Sequence, residues 1–152
     1  MDSEHIVLFR KLKMTDYKKD FKIGNMRLDS QHEKLLNILI YLAEKEEKLL
    51  LDDEAMEYIN DLMHLLTIHF HDEEELMHVL HMDDSEIHAH TAAHQQILKE
   101  LTDFYYNLMT ISKGTPVKNI FASIEAWIYK HMVTFDIKMI PYLHHRASYS
   151  EE

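Results

Sequence analysis

The chain contains no cysteine, which removes disulfides, cysteine nucleophiles and thiolate metal ligands together, so any metal it holds must sit among nitrogen and oxygen donors. Turn material is also scarce, with two glycines and two prolines. Long stretches rich in Leu, Met, Lys, Glu and Ala run between these breakers and favour an all-helical bundle. No segment approaches the apolar length needed to span a bilayer. At the N-terminus, acidic residues precede the short apolar piece Ile6 to Phe9, the wrong charge order for a secretory signal, so a cytoplasmic protein is expected. Positive charge is in deficit: 16 Lys and Arg against 27 Asp and Glu give a formal net charge of −11. Without a basic stripe, such a chain repels a phosphate backbone, so nucleic acid is not an expected partner. A length of 152 residues suits one domain.

Periodicity organises that domain. Residues 1–24 show no sustained period and read as an arm packed over the bundle, residues 25–146 as the bundle, and residues 147–152 as a polar tail. Asn25 offers an N-cap to a first helix near 25–48, whose inward face carries Leu28, His32, Leu35, Leu39 and Leu42. Asp52 and Asp53 open a second, near 53–80, with Ile59, Leu62, Leu66, His69, Glu73, Leu76 and Leu80 inward. A third, near 86–112, carries Ile87, His90, His94, Ile97, Leu101, Phe104, Leu108 and Ile111. After the Lys113-Gly114-Thr115-Pro116 break, a fourth near 116–139 turns Val117, Ile120, Ile124, Trp127 and His131 inward, and Pro141 is expected to stop or kink it near 138–140. Short connections between long helices predict an all-α, antiparallel up-down-up-down four-helix bundle.

Histidine is abundant, with 13 copies. One histidine on an apolar stripe is more often a satisfied core residue than a ligand. Here all four helices carry one in mid-stripe. Residues four apart lie roughly 40° apart around a helix, so the pairs His69/Glu73 and His90/His94 each reach a point on the bundle axis, where His32 and His131 join them. Burying five imidazoles and a carboxylate without a metal is costly, whereas two divalent ions satisfy them. One carboxylate is few for two ions. Asp136 is the acidic residue that follows His131, but a five-residue offset is roughly 140° on an ideal helix; spacing alone does not select it, and a local π-type widening or a lateral approach is required.

The run Phe21, Ile23-Gly24 and Leu28-Asp29-Ser30-Gln31-His32 resembles the start of the first bundle helix of bacterial hemerythrins. His69-Phe70-His71-Asp72-Glu73-Glu74-Glu75-Leu76-Met77 is similar to their H-F-x-x-E-E-x-L-M motif, His90-Thr91-Ala92-Ala93-His94 to their third-helix pair, and Trp127 through His131 to Asp136 to their W-x-x-x-H-x-x-x-x-D. The resemblance covers about Tyr17 to Asp136. It implies two iron ions (Fe2+/Fe3+) bridged by oxo or hydroxo. His90, His94 and His131 would hold one and His32 and His69 the other, with Glu73 and Asp136 bridging. It also implies reversible binding of dioxygen at the open position of the two-histidine iron, as in an oxygen carrier, store or sensor. Imidazole-rich sites suit iron, and ferritin-like oxygen-activating bundles carry more carboxylates and Glu-x-x-His pairs, which favours holding oxygen over cleaving it.

The resemblance further places Leu35, Phe70, Trp127, Ile128 and Met132 at pocket-lining positions, although plain core packing explains Leu35 and Phe70 equally well. His71 and Glu75 form a rival four-spaced pair about 200° around the helix from His69 and Glu73, facing outward. His64 and His78 fall off the stripe and, with His81 and His88, read as ordinary solvated positions, as do His144 and His145, for which contact with the arm or a neighbouring subunit stays open. Two other functions remain open: a di-iron enzyme reducing peroxide or nitric oxide, and an iron-storage protein. Manganese in place of iron also stays open, because ligand type biases metal choice without fixing it.

Overall fold

The computed structural model describes residues 22–47, 52–110 and 122–144. Residues 1–21 of the N-terminal arm, the Gly114-Thr115-Pro116 break, Val117, Ile120, Ile111, His5, His145 and the polar tail lie outside these. The described chain is all α: α1 (Met26–Glu47), α2 (Asp53–Val79), α3 (Asp84–Met109) and α4 (Ala122–Thr134), followed by a 3-10 turn (Asp136–Met139) and a further helical stretch at 140–144.

The helix starts follow from capping chemistry. Asn25 Oδ1 accepts the Leu28 N–H at 3.0 Å, and Asp52 Oδ1 accepts the Ala55 N–H at 2.8 Å, each satisfying an amide that the first turn leaves open. Just upstream, Asp29 turns its carboxylate back to accept the Ile23 N–H at 2.8 Å, which ties the approach of the chain to α1. That approach passes through Gly24 at φ 102°, a conformation only glycine adopts freely.

Consecutive helices pack on one another, α1 on α2, α2 on α3 and α3 on α4. Their directions follow from two apolar clusters. Leu28, Met77, Ile87 and Met139 belong to the smaller one, and Leu35, Leu66, Ile97 and Ile128 to the larger. Along α1 and α3 the chain runs from the smaller cluster to the larger; along α2 and α4 it runs back, giving the up-down-up-down bundle. Between the two clusters each helix contributes its histidines.

Three details depart from the periodic reading. On α2 the buried stripe shifts to Phe70 and Met77, leaving Leu76 and Leu80 half-buried, because a straight helix drifts about 20° per heptad from a three-four repeat. On α4, Ile128 and Met132 are buried beside His131 while Trp127 is half-buried. Pro141 neither stops nor kinks the last helix near 138–140: the interruption comes earlier, at Phe135, and Pro141 sits in the first turn of the 140–144 stretch, where a missing N–H costs nothing.

The α2–α3 corner is a Schellman turn. His81 N–H donates to His78 C=O at 3.1 Å and Met82 N–H to Met77 C=O at 3.2 Å, with both methionines buried in the smaller cluster. The motif requires a left-handed residue after the C-cap, and here His81 holds it at φ 55°. An L-residue there is strained by about 1–2 kcal/mol. Replacing His81 with Gly relieves that strain and adds some unfolded-chain entropy, so the variant should gain about 0.5–1 kcal/mol. Thermal unfolding should show a midpoint raised by about 1–4 °C; an unchanged or lowered midpoint would refute this account of the corner.

Candidate metal centre

All seven polar residues singled out on the inward faces are buried together: His32, His69, Glu73, His90, His94, His131 and Asp136 are each no more than 5% exposed. α1 supplies His32, α2 supplies His69 and Glu73, α3 supplies His90 and His94, and α4 with its following turn supplies His131 and Asp136. By contrast His64, His71, His78, His81, His88 and His144 are exposed. The rival pair His71 and Glu75 is joined at 3.2 Å on the outer surface, with side chains 70% and 66% exposed.

Asp136 arrives by an unexpected route. No π-type widening occurs. The α-helix ends at Thr134, Phe135 stays in the right-handed helical region with φ drawn out to −111° (ψ −52°), and the chain tightens into the 3-10 turn that begins at Asp136. Phe135 N–H still reaches His131 C=O at 2.8 Å, so the change of direction is confined to one residue. Its ring stacks on His131 at 5.3 Å between centroids, which helps hold the bend beside the site.

The two carboxylates divide their oxygens between two sets of imidazoles. Glu73 Oε1 faces His69 Nε2 at 2.7 Å and His32 Nε2 at 3.4 Å, while Oε2 faces His94 Nε2 at 2.9 Å and His90 Nε2 at 3.3 Å. Asp136 Oδ2 faces His32 Nε2 at 3.1 Å, while Oδ1 faces His90 Nε2 at 3.0 Å and His131 Nε2 at 3.1 Å. Two groups of ligand-type atoms result, each within 4.8 Å mutually: His90, His94 and His131 with both carboxylates, and His32 and His69 with the same two. All five imidazoles point Nε2 inward. His90 and His131 even bring these nitrogens to 3.2 Å of one another, an approach that suits lone pairs directed at a common cation. The donor set is nitrogen and carboxylate oxygen, without thiolate, and fits divalent transition metals.

Without a cation the cluster is charged through its own protons. Burial opposes charge on His32, but hydrogen bonds to Asp136 and Glu73 and their negative charges outweigh it and raise the imidazole to about 10. The same balance raises His131 to about 9 and raises His90. Burial holds His94 below its ordinary value despite its bond to Glu73, with the His131 and His90 charges acting in the same sense. Burial would raise Glu73, yet the His69 charge and hydrogen bonds from His131, His32 and His69 hold it well below the usual carboxylate range. For Asp136, burial and the Glu73 charge push upward and are outweighed by bonds from His131, His32 and His90.

A small cavity of about 10 Å³ adjoins the cluster, lined by Leu35, Leu66, His69, Phe70, Ile97, Ile128, His131, Met132 and Asp136. Four expected pocket residues, Leu35, Phe70, Ile128 and Met132, are in its wall. Trp127 is not: half-buried, it meets Phe104 edge-on with centroids 6.4 Å apart, one turn from the cluster. Leu66 and Ile97 take part instead. They had no distinguishing signal in the sequence, since both are ordinary stripe positions one turn from a histidine.

Residues 24–143 match the hemerythrin HHE cation-binding domain. Among characterised proteins, the chain is similar to bacteriohemerythrin of Campylobacter jejuni subsp. jejuni, in serotypes O:6 and O:2, each 25% identical over 135 residues that cover 85% of this chain and 95% of the relative. No solved structure matches the chain.

Imidazole binds a metal only in its neutral form, so loading must expel the protons that His32 and His131, raised to about 10 and 9, hold at neutral pH. At least two protons should be released per chain on filling the metal-free protein at pH 7, and fewer as the pH approaches 10, so that affinity climbs with pH over that range. Calorimetric titration with a divalent metal in buffers of different ionisation enthalpy measures this; proton uptake, or no proton exchange, would contradict the charge state given for the cluster. The sign for folding is opposite. Stability from the raised imidazoles is complete below about pH 6.5 and is lost as pH rises through about 9 to 10, whereas that from the depressed carboxylates is lost as pH falls below about 4.

Proposed function

The chain belongs to the hemerythrin HHE cation-binding domain family, and on that premise we propose that it binds molecular oxygen reversibly at a non-haem di-iron site. The observation that carries this reading is the sharing of Glu73 and Asp136 between three imidazoles on one side and two on the other. His90, His94 and His131 would hold one iron and His32 and His69 the second, with Glu73 and Asp136 available to both. The two-histidine group offers one imidazole fewer, which would leave a position there for a diatomic ligand. When bound, the ferrous pair supplies the two electrons that such oxygen binding draws on.

The chain's own part is to shape and dry the entrance. A cavity of about 10 Å³ is near the smallest space that holds one water, and its wall beyond His69, His131 and Asp136 is made of Leu, Ile, Phe and Met. Apolar walls keep out water and bulky reductants and offer no acid to deliver protons. Turnover of peroxide needs such protons, and mineral storage needs room. Both features favour holding oxygen over an enzyme or an iron store.

Anaerobic loading with ferrous iron followed by oxygen titration separates these functions. One oxygen should be taken up per two irons and recovered when oxygen is removed; sustained consumption of peroxide with a reductant, or uptake without recovery, would overturn the reading. Leu66→Ala widens the cavity without touching a ligand. It should keep both irons, lose about 2–5 kcal/mol of stability, and pass to the oxidised resting state faster after oxygenation. Decay of the optical absorption at the parent's rate would remove the cavity from the account.

A further inference from the structure

We propose that Gln31 is a positioning residue that fixes His69 in its metal-binding orientation and is itself held in orientation by Asp72, an inference that rests on the metal-binding reading above. Gln31 stands next to His32 on α1, is 8% exposed, and spans to α2 with both ends of its amide. Its Oε1 lies 2.6 Å from His69 Nδ1, the ring nitrogen that faces away from the cluster, and its Nε2 donates to Asp72 Oδ2 at 2.7 Å. Asp72, 9% exposed, takes a further contact from Arg27 Nε at 3.1 Å.

The direction of every bond in this line follows from Asp72. An ionised carboxylate only accepts, so Gln31 must turn its NH2 toward Asp72 and its carbonyl oxygen toward His69. A carbonyl oxygen cannot donate, so His69 Nδ1 carries a proton, and Nε2, which lies against Glu73 Oε1 at 2.7 Å, is the nitrogen that turns its lone pair to a metal. A half-buried carboxylate outside the cluster thereby sets which nitrogen of a buried imidazole is available to a metal. The bond also raises the ligand's basicity, as a carbonyl partner does at metal-binding histidines generally. In the three-histidine group, His131 Nδ1 is buried without a hydrogen-bond partner among the described residues, and His94 Nδ1 lies 3.6 Å from Glu74 Oε2, beyond hydrogen-bond distance. Gln31 therefore acts on the two-histidine position, the one left open to a ligand. Without Asp72 the amide is free to flip, present NH2 to Nδ1, and leave the proton on Nε2 where it blocks the metal.

Zinc serves as a diamagnetic probe. The full-length protein is titrated with Zn2+ while the histidine ring nitrogens are followed by 15N NMR, which identifies the ligating nitrogen of each ring and the order in which the two groups fill. In the parent, both groups fill and His69 ligates through Nε2 with Nδ1 protonated. In Gln31→Leu, filling of the His32 and His69 group should need roughly 10–100-fold more free zinc, with the His90, His94 and His131 group unchanged. Asp72→Ala should shift the same group less, and the double exchange Gln31→Glu with Asp72→Asn, which keeps an acceptor on Nδ1 and reverses the outer bond, should recover most of the loss. Parental filling of both groups by Gln31→Leu overturns the proposal and leaves the metal reading standing. If Gln31→Leu loses helical circular dichroism, Asp72→Ala decides, and parental filling there overturns the proposal. A parent that fails to take two ions per chain overturns the metal reading itself, and this inference with it.

Discussion

Two carboxylates buried among five imidazoles form the constraint around which the rest of this bundle is arranged. Glu73 and Asp136 are 0% and 1% exposed, and each aims one oxygen at His32 while the other faces the histidines of α3 and α4. Ionised groups survive such burial only when opposite charge and hydrogen bonds replace water. Protonated imidazoles do this partially, at the cost of crowding like charges, and divalent ions do it better. The surroundings fit that demand: apolar clusters close the site above and below, and the helix ends that must hold register are capped by Asn25, Asp52 and the Schellman turn at His81.

Much of this is legible in the sequence because a helix converts spacing into direction. His32, His69, Glu73, His90, His94 and His131 each continue an apolar three-four stripe, and in an antiparallel bundle every such stripe faces the same axis. Burial of all six follows from period alone. Asp136 does not, since its approach depends on the chain tightening from α to 3-10 geometry after Phe135, and no α-helical period encodes a change of period. The family motif carried Asp136 where geometry on an ideal helix argued against it.

Lateral contacts are the other illegible part. Gln31 and Asp72 each precede a cluster residue by one position, which on a single helix places them about 100° off the inward line. Only the packing of α1 against α2 brings the amide between the carboxylate and the imidazole. Trp127 shows the converse failure. It lies one turn before His131 on the stripe, yet the stripe is broad enough that Ile128 and Met132 take the wall of the cavity while the indole packs edge-on to Phe104 against the larger apolar cluster. Periodicity identifies a face; which residue of that face touches a given point depends on the neighbouring helix.

The central claim, that one buried cluster divides three histidines and two histidines between two shared carboxylates to hold a pair of irons, is tested most directly by crystallographic anomalous scattering at the iron absorption edge. The account predicts two iron peaks per chain, one contacted by His90, His94 and His131 and the other by His32 and His69, with Glu73 and Asp136 touching both. A single peak, or an iron held by His71 or His88 on the outer surface, would contradict it.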